Sequence, residues 1–294
     1  MPTFTSIILN ILQPLVQEHG VVQQTTEQGA EQSENIGNVL IHHVSNSSEI
    51  DLLFFKLHLP SFPTIFGIDF SITKHVVMLW LAAFLVFLIF VFGVKWKGYI
   101  PKNKLTGMCE LIILFVRDEI VYLNLGAKDG RKFVPFFLTV FFFILFANLL
   151  GLIPLLATPT SNINVTAGLA FISLILIQCA GIVKNGFFKH WKNIIPSGVP
   201  KPLVLVLIPV ELMGMFAKPF ALCIRLFANM TAGHLVILSF LGLIILLKNY
   251  FVSLLTIPLA VGISILELFI AFLQAYIFTF LTAIFVSMTY HPSH

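Results

Sequence analysis

Charge is scarce in this chain. Only 10% of its 294 residues are Asp, Glu, Lys or Arg, 58% are hydrophobic, and the mean hydropathy is +0.98. Soluble domains carry roughly 25% charged residues, so the shortage excludes one and marks an integral membrane protein. Period-two alternation is missing from the apolar runs, which excludes a membrane β-barrel. Cysteine is scarce as well. Cys109, Cys179 and Cys223 stand far apart within or beside apolar runs, offer neither a disulfide framework nor a metal site, and read as packing residues. Residues 1–55 contain no Lys or Arg but do contain Glu18, Glu27, Glu31, Glu34, Glu49 and Asp51. That pattern fits neither an Arg-rich, acid-poor transit peptide nor the basic start of a signal peptide.

What is abundant is apolar length. Runs of about 20 residues span a bilayer as helices, and three stand at about 75–94, 134–153 and 165–183. Two longer tracts follow, about 203–247 and 251–290, separated by Lys248, Asn249 and Tyr250. Each is about 60 Å long if wholly helical, twice the roughly 30 Å hydrocarbon core. Neither has a polar turn near its middle. Pro209, Pro219 and Pro258 can kink a helix but do not supply a loop that water could reach. The preferred reading is therefore a hairpin of two long, steeply tilted helices. Residues 105–127 mix apolar positions at helical spacing with Glu110, Arg117, Asp118 and Glu119, which predicts an amphipathic helix on the membrane surface. The fold expected is an all-α integral membrane protein of about five crossing helices plus one surface helix.

The remaining organisation follows from charge. Residues 75–294 form the membrane domain, and 1–74 a polar, acidic region outside it. Within that region Phe4, Ile7, Ile8, Ile11, Leu12 and Leu15 suggest a short interfacial helix, and 17–50 a linker. The loops 95–132 and 184–201 hold most of the Lys and Arg, among them Lys95, Lys97, Lys102, Lys184, Lys189, Lys192 and Lys201. The positive-inside rule makes them cytoplasmic, with the N-terminus outside and the C-terminus inside.

Ionisable residues deep in membrane helices cost roughly 2.5–3.5 kcal/mol each on insertion scales. The 203–247 tract nevertheless carries Glu211, Lys218, Arg225 and His234. The first three are seven apart, and each step drifts only about 20°, so they share one face. Asn229 extends that face, while His234 points nearly opposite. The next tract carries Glu267 and Gln274, again seven apart. Lys218 and Glu211 have an alternative as snorkelling side chains at the interface, His234 and Glu267 as a self-neutralising pair, and Asn229 and Gln274 as packing amides. Arg225 has no acidic residue one turn away and cannot shed its charge. Such a cation needs an anion from elsewhere.

The stretches "KPFALCIRLFANMTAGHL" (218–235) and "ELFIAFLQAYIF" (267–278), with "ANLLGLIP" (147–154) and "SNINVTAGLA" (161–170), closely resemble subunit a, the membrane stator subunit of F-type ATP synthases. The resemblance covers about 75–290. It implies that Arg225 is the essential cation facing the ion-binding carboxylate of a rotating subunit c ring. It places Asn229 and Gln274 beside that cation, and His234 with Glu267 in an outer half-channel. Glu211 then falls in a cytoplasmic half-channel and Asn148 near the outer mouth. Some members carry Glu first and His second; here the order is His then Glu. Some carry an aspartate where Gly151 stands here. The resemblance further implies subunit c, the peripheral-stalk subunit b, other ATP synthase subunits and the lipid membrane as partners, with no nucleic acid, metal or cofactor. The chain itself would be a non-catalytic, proton-translocating subunit in a bacterial plasma membrane. Two other classes compete. An ion-coupled secondary transporter would need broken helices in repeated halves, which the sequence lacks. A purely structural scaffold would have no use for Arg225.

Overall fold

The computed structural model describes residues 49–52, 55–58, 73–93, 104–153, 158–192, 201–247 and 250–291. The expected interfacial helix near residues 4–15, the cluster Lys95, Lys97 and Lys102, and the Lys248–Asn249 break lie outside the described residues. Five helical segments are long and apolar enough to cross a membrane: Lys74–Phe92, Val134–Gly151, Ile163–Asn185, Val204–Ile244 and Leu254–Tyr290. The fold is that of an all-α integral membrane protein.

A strand pair comes first. β1 (Glu49–Leu52) and β2 (Phe55–His58) run antiparallel, with Glu49 opposite His58 and Asp51 opposite Lys56. This small departure from an all-helical chain follows the short alternation Ile50–Asp51–Leu52 and Phe55–Lys56–Leu57. Next come α1 (Lys74–Leu88), which continues as a π-helical turn to Gly93, and α2 (Lys104–Phe115), which continues as a π turn through Tyr122 to Leu125. The short α3 (Ala127–Gly130) leads to α4 (Val134–Gly151). A 3₁₀ turn at Pro159–Ser161 precedes α5 (Ile163–Asn185), whose first turn is capped by the Asn162 side chain accepting from the Asn164 N–H. Last come α6 (Phe187–Lys192), α7 (Lys201–Leu247) and α8 (Tyr250–Tyr290). Each long apolar tract is a single helix. α7 runs through Pro209 and Pro219 and α8 through Pro258 without breaking.

The chain divides into two compact units. One holds residues 46–234 and 263–294, and the described part of the other is 235–247 and 250–262, the end of α7 and the start of α8. In the larger unit the core is built around α4. Its sequence is apolar on every side, as a centrally buried helix requires, and Phe137, Phe141 and Ile144 are wholly buried. Against it pack Val116 and Ile120 of the α2 extension, Leu222, Leu226 and Met230 of α7, and Ala275, Phe278 and Val286 of α8. α1 instead exposes Trp80, Phe84, Phe87 and Phe92, as a helix facing lipid would. α2 exposes Met108, Leu111 and Leu114 while burying Thr106 and Cys109. Of the cysteines expected to pack, Cys109 and Cys223 are buried and Cys179 is exposed.

Polar contacts fasten the C-terminal end of α8. Ser287 Oγ donates to the Asn124 carbonyl and Asn185 Nδ2 donates to the Thr289 carbonyl at 3.1 Å. Asp129 stands among three partners: Lys184 Nζ at 3.3 Å, His291 Nε2 at 3.5 Å and the Tyr290 hydroxyl at 3.4 Å. Lys184 also lies 4.6 Å from the centre of the Tyr290 ring. Partial desolvation pushes the Asp129 carboxyl upward, but the Lys184 hydrogen bond and charge, with His291 and Lys132, outweigh it and hold the group below its ordinary value. A depressed carboxyl stabilises the fold above its unfolded pKa, and that contribution disappears as pH falls through the folded one. Asp129→Asn should therefore speed hydrogen exchange at Ser287–His291 near neutral pH. The difference from the unmodified chain should begin to shrink only as pH falls below about 4 and vanish once pH is under the depressed value, as exchange measured at several pH values would show.

Candidate functional site

The seven-residue spacing of Glu211, Lys218 and Arg225 becomes a stripe because α7 is continuous through all three. Glu211 and Asn229 are exposed, and Lys218 and Arg225 are half-buried. Around them Met213, Phe216, Phe220 and Ile224 present apolar side chains outward. Lys218 Nζ sits 5.3 Å from the centre of the Phe285 ring of α8, a cation–π contact. Among the described residues Arg225 makes no hydrogen bond or ion pair.

Three contacts show α7 and α8 running antiparallel across this region. Lys218 meets Phe285, Asn229 Nδ2 donates to Gln274 Oε1 at 3.1 Å, and the Glu267 carboxylate presses on Gly233. Glu267 is only 3% exposed, and both its carboxylate oxygens lack a hydrogen-bond partner, as does Gln274 Nε2. Burying such groups unsatisfied is expensive, which sets the two side chains apart from the apolar residues around them. Gly233 is what admits the carboxylate: a methyl group there would come within 2.9 Å of Glu267 Oε1. His234, the next residue, is buried too.

Asn148 of α4 joins this group from the other side. It is fully buried, accepts from Thr160 Oγ1 at 2.8 Å and donates from Nδ2 to the Ala271 carbonyl at 3.3 Å. Ala271 lies one turn from both Glu267 and Gln274, so Asn148 meets α8 midway along its buried polar face. The Pro159–Ser161 turn packs on top. Thr231 of α7 reaches the Ser161 carbonyl at 3.4 Å, and Thr158 Oγ1 reaches the Gly151 carbonyl at 3.4 Å. A Cβ at Gly151 would fall 2.4 Å from Thr158 side-chain atoms. The room that an aspartate at that position would need is taken by threonine.

The arrangement thus brings together Asn229 with Gln274, Glu267 with the backbone beside His234, and Asn148 with α8. Gln274 bonds Asn229 rather than Arg225. Glu211 stays about 20 Å from Arg225 along the helix. Gly233, Thr158, Thr160 and Ser161 were not singled out by sequence reasoning. The uncharged but hydroxyl-rich "TPTSN" was the signal available for three of them.

Residues 76–287 match the family model described as ATP synthase A chain. The chain belongs to that family. It is 42% identical over 268 residues to ATP synthase subunit a 2 of Chlorobium luteolum, an overlap covering 89% of this chain and 78% of that one. Over 229 residues it is 46% identical to ATP synthase subunit a of Myxococcus xanthus, with 77% and 75% covered. Over 240 residues it is 45% identical to ATP synthase subunit a of an Anaeromyxobacter species; the overlap takes in 79% of this chain and 58% of that longer protein.

The tight seat of Glu267 is testable by a double-mutant cycle. Overpacking typically costs about 1–3 kcal/mol, so Gly233→Ala should lower the heat stability of the purified protein. Much of the loss should be recovered when Glu267→Ala is added. Strictly additive effects would mean that the two residues do not touch.

Proposed function

We propose that this chain is the stator subunit through which protons cross the membrane sector of an ATP synthase, working against a rotating ring of subunit c and held by the peripheral-stalk subunit b. The observation that carries the reading is Arg225. It is a permanently charged, half-buried group on a helix face that it shares with Glu211, Lys218 and Asn229, flanked by exposed apolar side chains, and among the described residues it makes no ion pair. Family membership supplies the context in which such an anion arrives on another chain.

The chemistry follows from solvation. A charged carboxylate on a rotor cannot enter lipid cheaply, so it must be protonated before it turns through the bilayer. Near Arg225 the ionised form is favoured and the proton leaves, toward Glu211 and the cytoplasm. His234 and Glu267, with Asn148 at the mouth, line the outer half-path that reloads the carboxylate. Asn229 and Gln274 hold the polar surface between the two half-paths. Arg225 also bars a direct leak, because a proton would have to pass a fixed positive charge. Each charge crossing 100 mV supplies about 2.3 kcal/mol for rotation. In this reading α7 and α8 lie steeply tilted, the N-terminal region faces outward and the C-terminus inward, in a bacterial inner membrane. The chain performs no bond-making step itself. Proton is the ion assigned here, and sodium is the outcome to exclude.

Arg225→Ala should abolish ATP-driven proton pumping in vesicles carrying the assembled complex while leaving assembly largely intact. Wild-type pumping by that variant would refute the reading, and pumping that depends on sodium would change the ion. Replacing both His234 and Glu267 by Ala should slow proton conduction, and an unchanged rate would reduce the two residues to a packing role.

A further inference from the structure

The polar route from Asn148 continues, on the side away from α8, to a residue that the functional reading leaves unused. His75 stands at the second position of α1, is only 2% exposed, and bonds through Nδ1 to the Thr158 carbonyl at 3.2 Å. A carbonyl can only accept, so Nδ1 carries the hydrogen and Nε2 is the nitrogen free to gain and lose a proton. His75 also lines a cavity of about 480 Å³ between α1 and α5, together with Thr73, Asn162 and Asn164 at its polar end and Leu79 and Ile172 on its apolar wall. That volume has room for several waters, and its polar groups offer them hydrogen-bond partners.

Two residues along from the Thr158 carbonyl, Thr160 donates to Asn148, and Asn148 donates to the backbone of α8 beside Glu267. Cavity, imidazole, 3₁₀ turn and amide therefore form one polar line into the buried face of α8. Threonine and asparagine can pass hydrogen bonds but carry no group that titrates; histidine does. The charged neighbour of His75 is Lys74 on its own helix. Among the described cavity-lining residues His75 is the only ionisable one; α4, α5 and the turn offer Phe143, asparagines and Thr158.

We propose that His75 is the proton-exchanging residue at the outer mouth of the path, taking a proton at Nε2 from water in this cavity and returning it to water on the way to Asn148. The inference rests on the proton-path reading of α7 and α8. The Thr158 carbonyl fixes the tautomer, and the α1 backbone fixes the ring at the rim.

The test uses the whole ATP synthase in proteoliposomes, with synthesis driven by an imposed gradient while pH is varied on the outer side. His75→Gln keeps an amide donor for the Thr158 carbonyl but cannot titrate. It should lower the rate several-fold and remove an inflection from the rate profile against outer pH. His75→Glu, which can titrate, should restore part of the rate with the inflection at a different outer pH. A wild-type rate and profile in His75→Gln would overturn the proposal. Should these variants fail to assemble, Asn164→Cys in a background without the three native cysteines leaves His75 in place. A water-soluble cationic thiol reagent added outside should label it and slow proton flux, and absence of labelling would equally overturn the proposal. Arg225→Ala, run alongside, separates the two levels. Its loss of function with unaffected His75 variants sinks only the role of His75, whereas its full activity sinks the proton-path reading itself.

Discussion

The price of placing charge where there is little water governs everything else in this molecule. A chain with so few ionisable residues nevertheless concentrates Glu211, Lys218, Arg225, His234 and Glu267 on its two longest apolar helices. In hydrocarbon each must be screened by protein, paired or used. Lys218 is screened by the Phe285 ring and Glu267 is pushed against the α7 backbone, while Arg225 is half-buried with no ion-pair partner among the described residues. The cluster around α4 is apolar, while buried Asn148, His234, Glu267 and Gln274 gather where α4, α7 and α8 meet. That gathering makes the seam chemically distinctive.

The turn from Thr158 to Ser161 does much of the work of building the seam, through its carbonyls as well as its hydroxyls. Thr158, Thr160 and Ser161 come from a single turn yet touch α1, α4 and α7. Each bond is individually modest, of order 1 kcal/mol, but together they let one short segment set the height and rotation of three helices. Thr158 also occupies the space beside Gly151, so a neutral side chain stands where a carboxylate would otherwise approach the same seam.

Much of the membrane architecture was readable before any coordinates. Long apolar runs leave little choice but helices, and the two tracts of about 40 residues or more offered no loop that water could reach. The stripe of Glu211, Lys218 and Arg225 was equally legible, since helical geometry converts spacing into a face. The remaining features depend on distance along the chain. Asn148 meets Ala271 across 123 residues and His75 meets Thr158 across 83, and no local pattern encodes either. Gly233 looked like any small residue until Glu267 was seen against it. The π turns after α1 and α2 and the β1–β2 pair escaped too, because an extra residue in a helical turn or four alternating positions leave only a faint periodic trace.

The fastening at the end of α8 has a mechanical consequence. A force applied sideways at Arg225 passes to α8 through the Asn229–Gln274 bond and the Gly233–Glu267 contact. α8 is a stiff rod whose far end is tied by Ser287 to Asn124, by Thr289 to Asn185 and by Tyr290 and His291 to Asp129. The rod thus behaves as a beam fixed at one end, and thrust delivered at the cation is resisted some five turns away by groups that never meet it.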